Sequence, residues 1–205
     1  FLERVPGLLE LDDFLPKQTG ESIDLRVHQQ DALHWLEKTR TDGKTIALLE
    51  HATGAGKTVT AISDARRVGP RVLYVAHRKP LVEQTARELR RLWPEVSHGR
   101  ILGGTWQPDR DTVCASIQSL SNRLSELPAD AFRYLIIDEA HHAAAGSYQE
   151  LLGHFRPSFT LGLTATPDRP DGRPILEIFR DAAHRLSLEE AIRRERAIVD
   201  DLASE

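Results

Sequence analysis

Short apolar runs alternate with amphipathic segments along most of this chain. The apolar runs are too short for helices and are typical of buried parallel strands; they cover residues 45–49, 71–76, 112–115, 134–137 and 159–163. Helical patterns follow four of them, at residues 58–68, 80–93, 117–127 and 148–155. Because right-handed crossovers place helices on both faces of a parallel sheet, this alternation predicts an α/β fold with a doubly wound, mainly parallel sheet.

Two further segments flank the alternating region. Residues 27–39 carry Ala32, Leu33, Trp35 and Leu36 at helical spacing, and we interpret residues 1–44 as a preamble that docks on the sheet. Residues 186–205 also show helical spacing under a dense coat of charge. We expect a terminal helix there, or a lead toward a further part of a longer chain.

The composition is ordinary for a globular protein, with 40% hydrophobic and 28% charged residues. The single Cys114 excludes an internal disulfide and suits a reducing cytoplasm, where we expect the protein to be located. No apolar stretch approaches the roughly 20 residues that span a membrane, and the N-terminus lacks a signal-peptide pattern. The chain begins at Phe1 and contains no methionine, which predicts a fragment; omission of methionines from the sequence is the other explanation.

The net charge of −4 is not that of a strongly basic nucleic-acid binder. The distribution is uneven, however, because residues 64–100 carry nine cations and four anions. The remainder of the chain then carries −9, which is −4 minus +5. A solvated helix face explains such a cationic run as readily as a phosphate-binding surface does.

The segment between the first predicted strand and the next helix carries the strongest chemical signal. It reads Ala52-Thr53-Gly54-Ala55-Gly56-Lys57-Thr58. Glycines allow a tight turn in which backbone N–H groups and a helix N-terminus converge on phosphate oxygens. In such a P-loop the lysine reaches the β and γ phosphates of ATP, and the following hydroxyl ligates Mg²⁺. His51 stands where the strict pattern has glycine, a departure that matters for family assignment more than for function.

A second signal is an apolar strand that ends in two carboxylates, followed by two histidines. The segment is Tyr134-Leu135-Ile136-Ile137-Asp138-Glu139-Ala140-His141-His142. Acids at the carboxyl end of a buried strand belong in the crevice where open α/β sheets bind ligands. We expect Asp138 to hold Mg²⁺ through its water shell and Glu139 to orient and deprotonate an attacking water. A helix N-terminus merely stabilised by acids is the alternative. No cysteine pair accompanies His141, so we expect a hydrogen-bonding role for it and no zinc site.

In combination and order, the motifs resemble those of superfamily 2 helicases and translocases of the DEAD/DEAH type. The matching segments are Arg26-Val27-His28-Gln29 for the adenine-reading motif, Ala52 to Thr58 for motif I, Val75-Ala76-His77-Arg78 for motif Ia, Ser116-Ile117-Gln118 for a nucleic-acid segment, Asp138-Glu139-Ala140-His141 for the DEAH box and Thr164-Ala165-Thr166 for motif III. The second histidine, His142, and the run from Thr164 to Gly172 look most like bacterial helicases related to the motor subunits of restriction enzymes, of the type III restriction subunit kind.

The resemblance implies the first of two RecA-like domains of a P-loop NTPase. Residues 1–44 would then hold the adenine-reading motif, 45–183 the RecA-like domain, and 184–205 a terminal helix or the lead to a second RecA-like domain of the same parent chain. The implied cofactors are ATP and Mg²⁺, and the implied partner is nucleic acid, with DNA favoured over RNA. The chain contains no candidate for the arginines of motif VI, which in the family it resembles lie in the second domain and supply the arginine finger. Since an arginine finger contributes about 10³–10⁵ in rate, we expect the fragment alone to be nearly inactive.

The resemblance also assigns expected roles to individual residues. Lys57, Asp138, Glu139 and His141 would be catalytic; Arg26, Gln29, Thr53, Gly54, Ala55, Gly56, Lys57 and Thr58 would bind the nucleotide, with Thr58 and Asp138 holding the metal; and His77, Arg78, Ser116, Gln118, Thr164, Thr166 and Arg169 would contact nucleic acid or couple it to the nucleotide site.

Two other functions remain open at this point. A nucleotide or small-molecule kinase shares the P-loop, although Glu139 suits activation of water and no acceptor lid is evident. An ATP-dependent switch or docking module without strand separation would need the same nucleotide-binding residues.

Overall fold

The computed structural model describes residues 23–140, 146–165, 179, 183–187, 189, 190 and 193. Those residues form five α-helices and eight strands: α1 (Val27–Thr41), β1 (Ile46–His51), α2 (Lys57–Val68), β2 (Val72–Ala76), α3 (Lys79–Leu92), β3 (His98–Leu102), β4 (Thr105–Trp106), β5 (Thr112–Ser116), α4 (Ile117–Ser121), β6 (Tyr134–Ile137), α5 (Gly146–His154), β7 (Phe159–Thr164) and β8 (Ala183–Leu186). None of the helices in this described part is long and apolar enough to cross a bilayer.

The described strands form one sheet in the order β4-β3-β5-β2-β6-β7-β1-β8. Neighbouring strands are parallel throughout except for the antiparallel pair β3 and β4. This arrangement confirms the predicted α/β fold with a mainly parallel, doubly wound sheet. The five strands predicted from apolar runs are β1, β2, β5, β6 and β7, and they occupy the interior of the sheet.

The strands β3, β4 and β8 were not predicted, because they lie toward the two edges of the sheet. Along β3, buried residues alternate with half-buried ones, and three residues of β8 are partly or fully exposed. A strand that is solvated on one side lacks the continuous apolar run by which buried parallel strands are recognised. β8 also crosses the domain boundary expected at residue 183, so the sheet continues to Leu186.

Side chains alternate between the two faces of the sheet and so build two cores. On β2, Val72 and Tyr74 join the core under α1, α2 and α3, whereas Leu73 and Val75 join the core under α4 and α5. Both cores are therefore anchored on the same central strands. The carboxyl ends of those strands are left free to carry loops, and the site is built there.

The predicted helix at residues 117–127 is shorter than expected. α4 ends at Ser121 and a separate 3₁₀ turn covers Leu124–Glu126. Arg123 lies between them, pairs with Glu126 at 2.6 Å, and places its guanidinium over the Trp106 ring at 3.9 Å from the centroid. These tertiary contacts favour a turn at a place where the sequence pattern suggests a continuous helix. Apart from Leu186, Ser187, Glu189, Glu190 and Arg193, the helix predicted at residues 186–205 lies outside the described residues.

Candidate nucleotide-binding site

The loop between β1 and α2 has the conformation that a phosphate-binding turn needs. Gly54 and Gly56 take φ values of 84° and 78°, in the left-handed region that favours glycine. Gly56 is the N-cap residue of α2 and supplies no capping side chain. The N–H groups of the first helical turn are therefore oriented toward the loop without a side-chain cap, as an anion site requires.

Lys57 is the first residue of α2 and folds back over the loop. Its Nζ donates hydrogen bonds to the carbonyl oxygens of His51 at 2.8 Å and Ala52 at 3.3 Å. Burial lowers the pKa of Lys57, while the nearby carboxylates of Asp138 and Glu139 act in the opposite direction. The structure thus brings together the lysine and the two acids that the sequence predicted for one site.

The two acids follow β6, which lies between β2 and β7 in the centre of the sheet. Burial raises the pKa of Asp138, and Tyr74, the Glu139 backbone N–H and Lys57 counteract part of that rise. The Glu139 N–H donates to Oδ1 of Asp138 at 3.0 Å. Glu139 itself has a φ of 51°, a left-handed conformation that costs a residue with a Cβ about 1–2 kcal/mol. Such strain is typical of functional positions, since the surrounding fold must hold the residue there.

Two buried tyrosines near these acids were not predicted from the sequence. Burial raises the pKa of Tyr74 on β2, which also lies beside Asp138, Thr58 and Thr85. Burial likewise raises the pKa of Tyr148 on α5, and the nearby charges of Asp138 and Glu139 raise it further. The Tyr148 hydroxyl has no hydrogen-bond partner in the described part of the chain, whereas the Tyr74 hydroxyl lies close enough to Asp138 to counteract part of the rise in the pKa of that carboxyl. Their apolar neighbours in sequence make both residues resemble ordinary core positions, so only the three-dimensional arrangement reveals them.

The adenine-reading motif lies directly against the P-loop. Gln29 accepts a hydrogen bond from the Arg26 backbone N–H at 2.9 Å and donates to the Gly56 carbonyl at 3.3 Å. His28, which the sequence analysis did not single out, donates from Nε2 to the Ala55 carbonyl at 2.9 Å. Two consecutive side chains of α1 therefore form hydrogen bonds to the loop, and these bonds couple the position of α1 to that of the loop.

A cleft of about 320 Å³ extends from the P-loop along α2 and between these motifs. Its lining residues are Ile23, Asp24, Arg26, Gln29, Gly54, Gly56, Val59, Arg91 and Leu92. Both predicted adenine readers face this cleft together with the glycines of the loop. Arg91, at the end of α3, is a lining residue that no motif indicated.

His51, which departs from the strict P-loop pattern, has a local structural explanation. Its ring is completely buried and lies 2.8 Å from the ring of His184 on β8, Nε2 to Nδ1. The side chain is thus directed toward the neighbouring strand, while its carbonyl oxygen accepts from Lys57. A side chain is therefore accommodated at this position without entering the loop.

The residues expected to contact nucleic acid have different surroundings. His77 and Arg78 after β2, and Gln118 after β5, are exposed at the carboxyl edge of two adjacent strands. Ser116 is buried, and its hydroxyl caps α4 by accepting from the Ser119 N–H at 3.2 Å. Thr164 is fully buried at the end of β7. His141, Thr166 and Arg169 lie outside the described residues.

A parallel sheet with a P-loop after one strand and paired acids after another defines a nucleotide-binding domain of the RecA-like P-loop class. The family of the type III restriction enzyme res subunit matches residues 22–169. That match covers well over half of the chain, and the chain belongs to this family.

Individual relatives agree with this assignment, and one solved structure agrees with the fold. IRC3 of Saccharomyces cerevisiae, whose name describes an ATP-dependent helicase, is 32% identical over 170 residues, which are 74% of this chain and 24% of that protein. The DNA 3′-5′ translocase XPB2 of Sulfurisphaera tokodaii is 30% identical over 154 residues, 75% of this chain and 33% of the relative. The crystal structure of the Hef helicase domain of Pyrococcus furiosus superposes with a TM-score of 0.65 at 24% identity, over 79% of this chain and 38% of that one, and supports the fold alone. This chain spans a third or less of the two relatives.

Proposed function

We propose that this chain is the ATP-binding part of a nucleic-acid-dependent ATPase, a helicase or translocase that acts on DNA. The observation that carries the proposal is the convergence of Lys57, Asp138 and Glu139 at the carboxyl edge of the sheet, where their charges influence one another. A lysine on a P-loop binds the phosphates, and an acid one residue after the metal-binding aspartate can activate water.

The residues present fit a bound Mg²⁺. The Thr58 hydroxyl would hold it directly and Asp138 would hold it through its water shell, since oxygen atoms are its preferred ligands. When bound, Mg²⁺ would neutralise charge on the phosphates. No group of three or more His, Cys, Asp or Glu side chains among the described residues could hold a metal by itself, which suits a cation that is brought in with the nucleotide.

The steps assigned to this chain's own residues follow from their positions. Lys57 exchanges its two carbonyl acceptors for phosphate oxygens, to which it makes stronger, charge-assisted hydrogen bonds. Glu139 accepts the proton of the attacking water, and Gln29 holds the base side of the nucleotide next to the loop. The exposed groups of His77, Arg78 and Gln118 contact the nucleic-acid backbone, which positions a strand without reading bases.

Three parts of this proposal rest mostly on residues or partners outside the described residues, Thr164 at the end of β7 being the exception. His141, Thr164 and Thr166 would couple the nucleotide site to the nucleic acid, Arg169 would add a backbone contact, and a second RecA-like domain of the parent chain would supply the arginine finger. We also propose that the protein acts in the cytoplasm, in keeping with its single cysteine.

The decisive experiment is the steady-state ATPase rate of the full-length protein, measured without nucleic acid and with single-stranded DNA, duplex DNA or RNA. Stimulation by DNA that disappears in Glu139→Gln would support a DNA motor. Equal stimulation by RNA would contradict the preference for DNA. If ATP binds but no polymer changes the rate, the motor proposal fails and the ATP-dependent switch takes its place.

A further inference from the structure

We propose that helix α3 and strand β3 form a second nucleic-acid contact, a cationic stripe of Arg87, Arg90 and Arg100 that binds the DNA backbone beyond Arg78. The inference rests on the proposed function, because it presupposes a DNA partner. It adds a surface that none of the sequence motifs contains, and it explains the charge imbalance of residues 64–100.

The structure divides the nine cations of residues 64–100 into two groups. Five have partners: Arg66 pairs with Glu95 and Arg91 with Glu88, each at 2.7 Å, Arg67 and Lys79 lie 4.0 Å from Glu37 and Glu83, and Arg71 donates to backbone carbonyls. The side chains of Arg78, Arg87, Arg90 and Arg100 make no ion pair or hydrogen bond within the described part of the chain. The cations of this segment whose side chains have neither an ion-pair nor a hydrogen-bond partner among the described residues are therefore four arginines.

These arginines share one side of the molecule. At 3.6 residues per turn, Lys79, Glu83, Arg87 and Arg90 lie within about 80° of arc on α3, next to the arc that holds the buried Val82, Ala86 and Leu89. α3 packs on β5 and β3, and Arg100 of β3 is in register with Cys114 of β5. Burial raises the pKa of Cys114 to about 12, and the charges of Arg90 and Arg100 both oppose that rise. Both guanidiniums therefore lie near Cys114.

The direction of α3 makes the stripe an extension of the expected contact at Arg78. α3 begins directly after that residue and is 14 residues long, about 21 Å at 1.5 Å per residue. Arg87 and Arg90 therefore lie about 14 and 18 Å along the helix axis from Arg78. DNA is the partner whose charge fits such an extended row, since each strand presents a phosphate about every 3.4 Å along its axis. Glu83, the acidic residue on the same arc, is compensated by Lys79.

The test compares two double variants of the full-length protein, each of which removes two positive charges. Arg87→Gln/Arg90→Gln removes two residues of the stripe. Lys44→Gln/Arg133→Gln removes two exposed cations that precede β1 and β6, and their side chains also have no partner within the described residues. The affinity for a labelled 25-base-pair duplex is measured by fluorescence anisotropy over a series of salt concentrations.

We expect the stripe variant to bind the duplex about 10- to 100-fold more weakly at 0.1 M salt. The slope of log K against log salt should fall by about 1.8, which is two contacts at 0.9 each. The control variant should bind like the wild type, and both variants should retain the wild-type ATPase rate without DNA and the wild-type melting temperature. Equal behaviour of the two variants in DNA binding would overturn the stripe. If the wild type itself neither binds DNA nor responds to it, the proposed function fails instead, and the two failures are distinguishable.

Discussion

The two halves of helix α2 hold charged residues in opposite ways. At its first residue, Lys57 donates hydrogen bonds to two backbone carbonyls and lies near the carboxylates of Asp138 and Glu139. At its eighth residue, Asp64 is fully buried and accepts two hydrogen bonds from Arg40, at 2.7 and 2.8 Å, and one from the Tyr134 hydroxyl at 2.7 Å. One helix therefore carries a charge free to change partners and a charge whose partners are complete.

The difference shows how to separate function from structure in this fold. A buried charge with a full set of partners contributes to the folded state and has no bonding capacity left for a ligand. A charge held only by carbonyl oxygens can exchange them for phosphate oxygens at little cost. Lys57 belongs to the second kind and Asp64 to the first, although both are polar residues on the same short helix.

The largest effect on stability is expected at Asp64. Asp64→Asn leaves the Arg40 guanidinium without its carboxylate, and breaking such a pair lowers the free energy of unfolding by about 3–5 kcal/mol. Tyr134→Phe is the matched control, because it removes one hydrogen bond to the same carboxylate and should cost only about 1 kcal/mol. Urea denaturation measures both. Similar losses in the two variants would mean that the charge of Asp64 is not the stabilising feature.

The largest effect on activity is expected at Lys57. Lys57→Ala should reduce the ATPase rate of the full-length protein by roughly 10²–10³-fold, since it removes a charged donor aimed at the phosphates. The free energy of unfolding should change far less than in Asp64→Asn. Lys44→Ala, which removes an exposed lysine ahead of β1, should leave the rate unchanged. A Lys57 variant that loses stability but keeps its rate would reverse the comparison of the two halves of α2.

A smaller effect distinguishes the glycines that flank α2. Gly56 and Gly69 both have positive φ, 78° and 102°, so an alanine costs about 1–2 kcal/mol of strain at Gly56 and about 1–3 kcal/mol at Gly69, whose ψ of −177° belongs to a region that glycine alone adopts readily. A Cβ at Gly56 would also collide with the amide of Gln29, whereas a Cβ at Gly69 would meet open space. Gly56→Ala should therefore weaken ATP binding in addition to stability, and Gly69→Ala should lower stability alone. Isothermal titration with a non-hydrolysable ATP analogue checks this; equal ATP affinities would show that the loop tolerates the side chain.

The smallest effect expected is a pH dependence at Asp138. Burial raises its pKa above the ordinary value of 3.8, so the ionised carboxylate disfavours the folded state. As pH rises from the unfolded-state pKa through the raised folded-state pKa, the wild type should lose stability relative to Asp138→Asn, and the two should be equally stable well below that range. Mg²⁺ with nucleotide should stabilise the wild type and not the variant. Urea denaturation between pH 3 and 8 measures the difference, and a difference independent of pH would contradict it.

Much of the fold was predictable because the interior strands are apolar on both faces. β1, β2, β5, β6 and β7 lie within one or two residues of their predicted bounds. The strands toward the edges were missed, since polar residues such as His98, Arg100 and Arg185 interrupt them. The start of α2 was predicted to within one residue, because glycines before a helix carry a local signal that needs no tertiary contact.

The candidate site was predictable only where its residues belong to local motifs. The P-loop is one contiguous segment of the sequence and the acids after β6 are another, whereas His28, Tyr74 and Tyr148 reach the site from separate elements. Nothing in their immediate sequence distinguishes the two tyrosines from core residues, and the adenine-reading motif around His28 does not show that its ring contacts the loop. The sequence also does not show which arginines of residues 64–100 are ion-paired, because their partners include residues as distant in sequence as Glu37.

The sequence by itself determined the class of fold, the phosphate-binding turn and the pair of acids, because hydrophobic period and glycine-dependent turns act over a few neighbouring residues. Only the tertiary structure decided which charges are compensated and which remain available, that His51 faces His184, and that Gln29 and His28 fasten α1 to the loop. Those outcomes depend on distances between residues far apart in the chain, and such distances exist only once the sheet has ordered its strands.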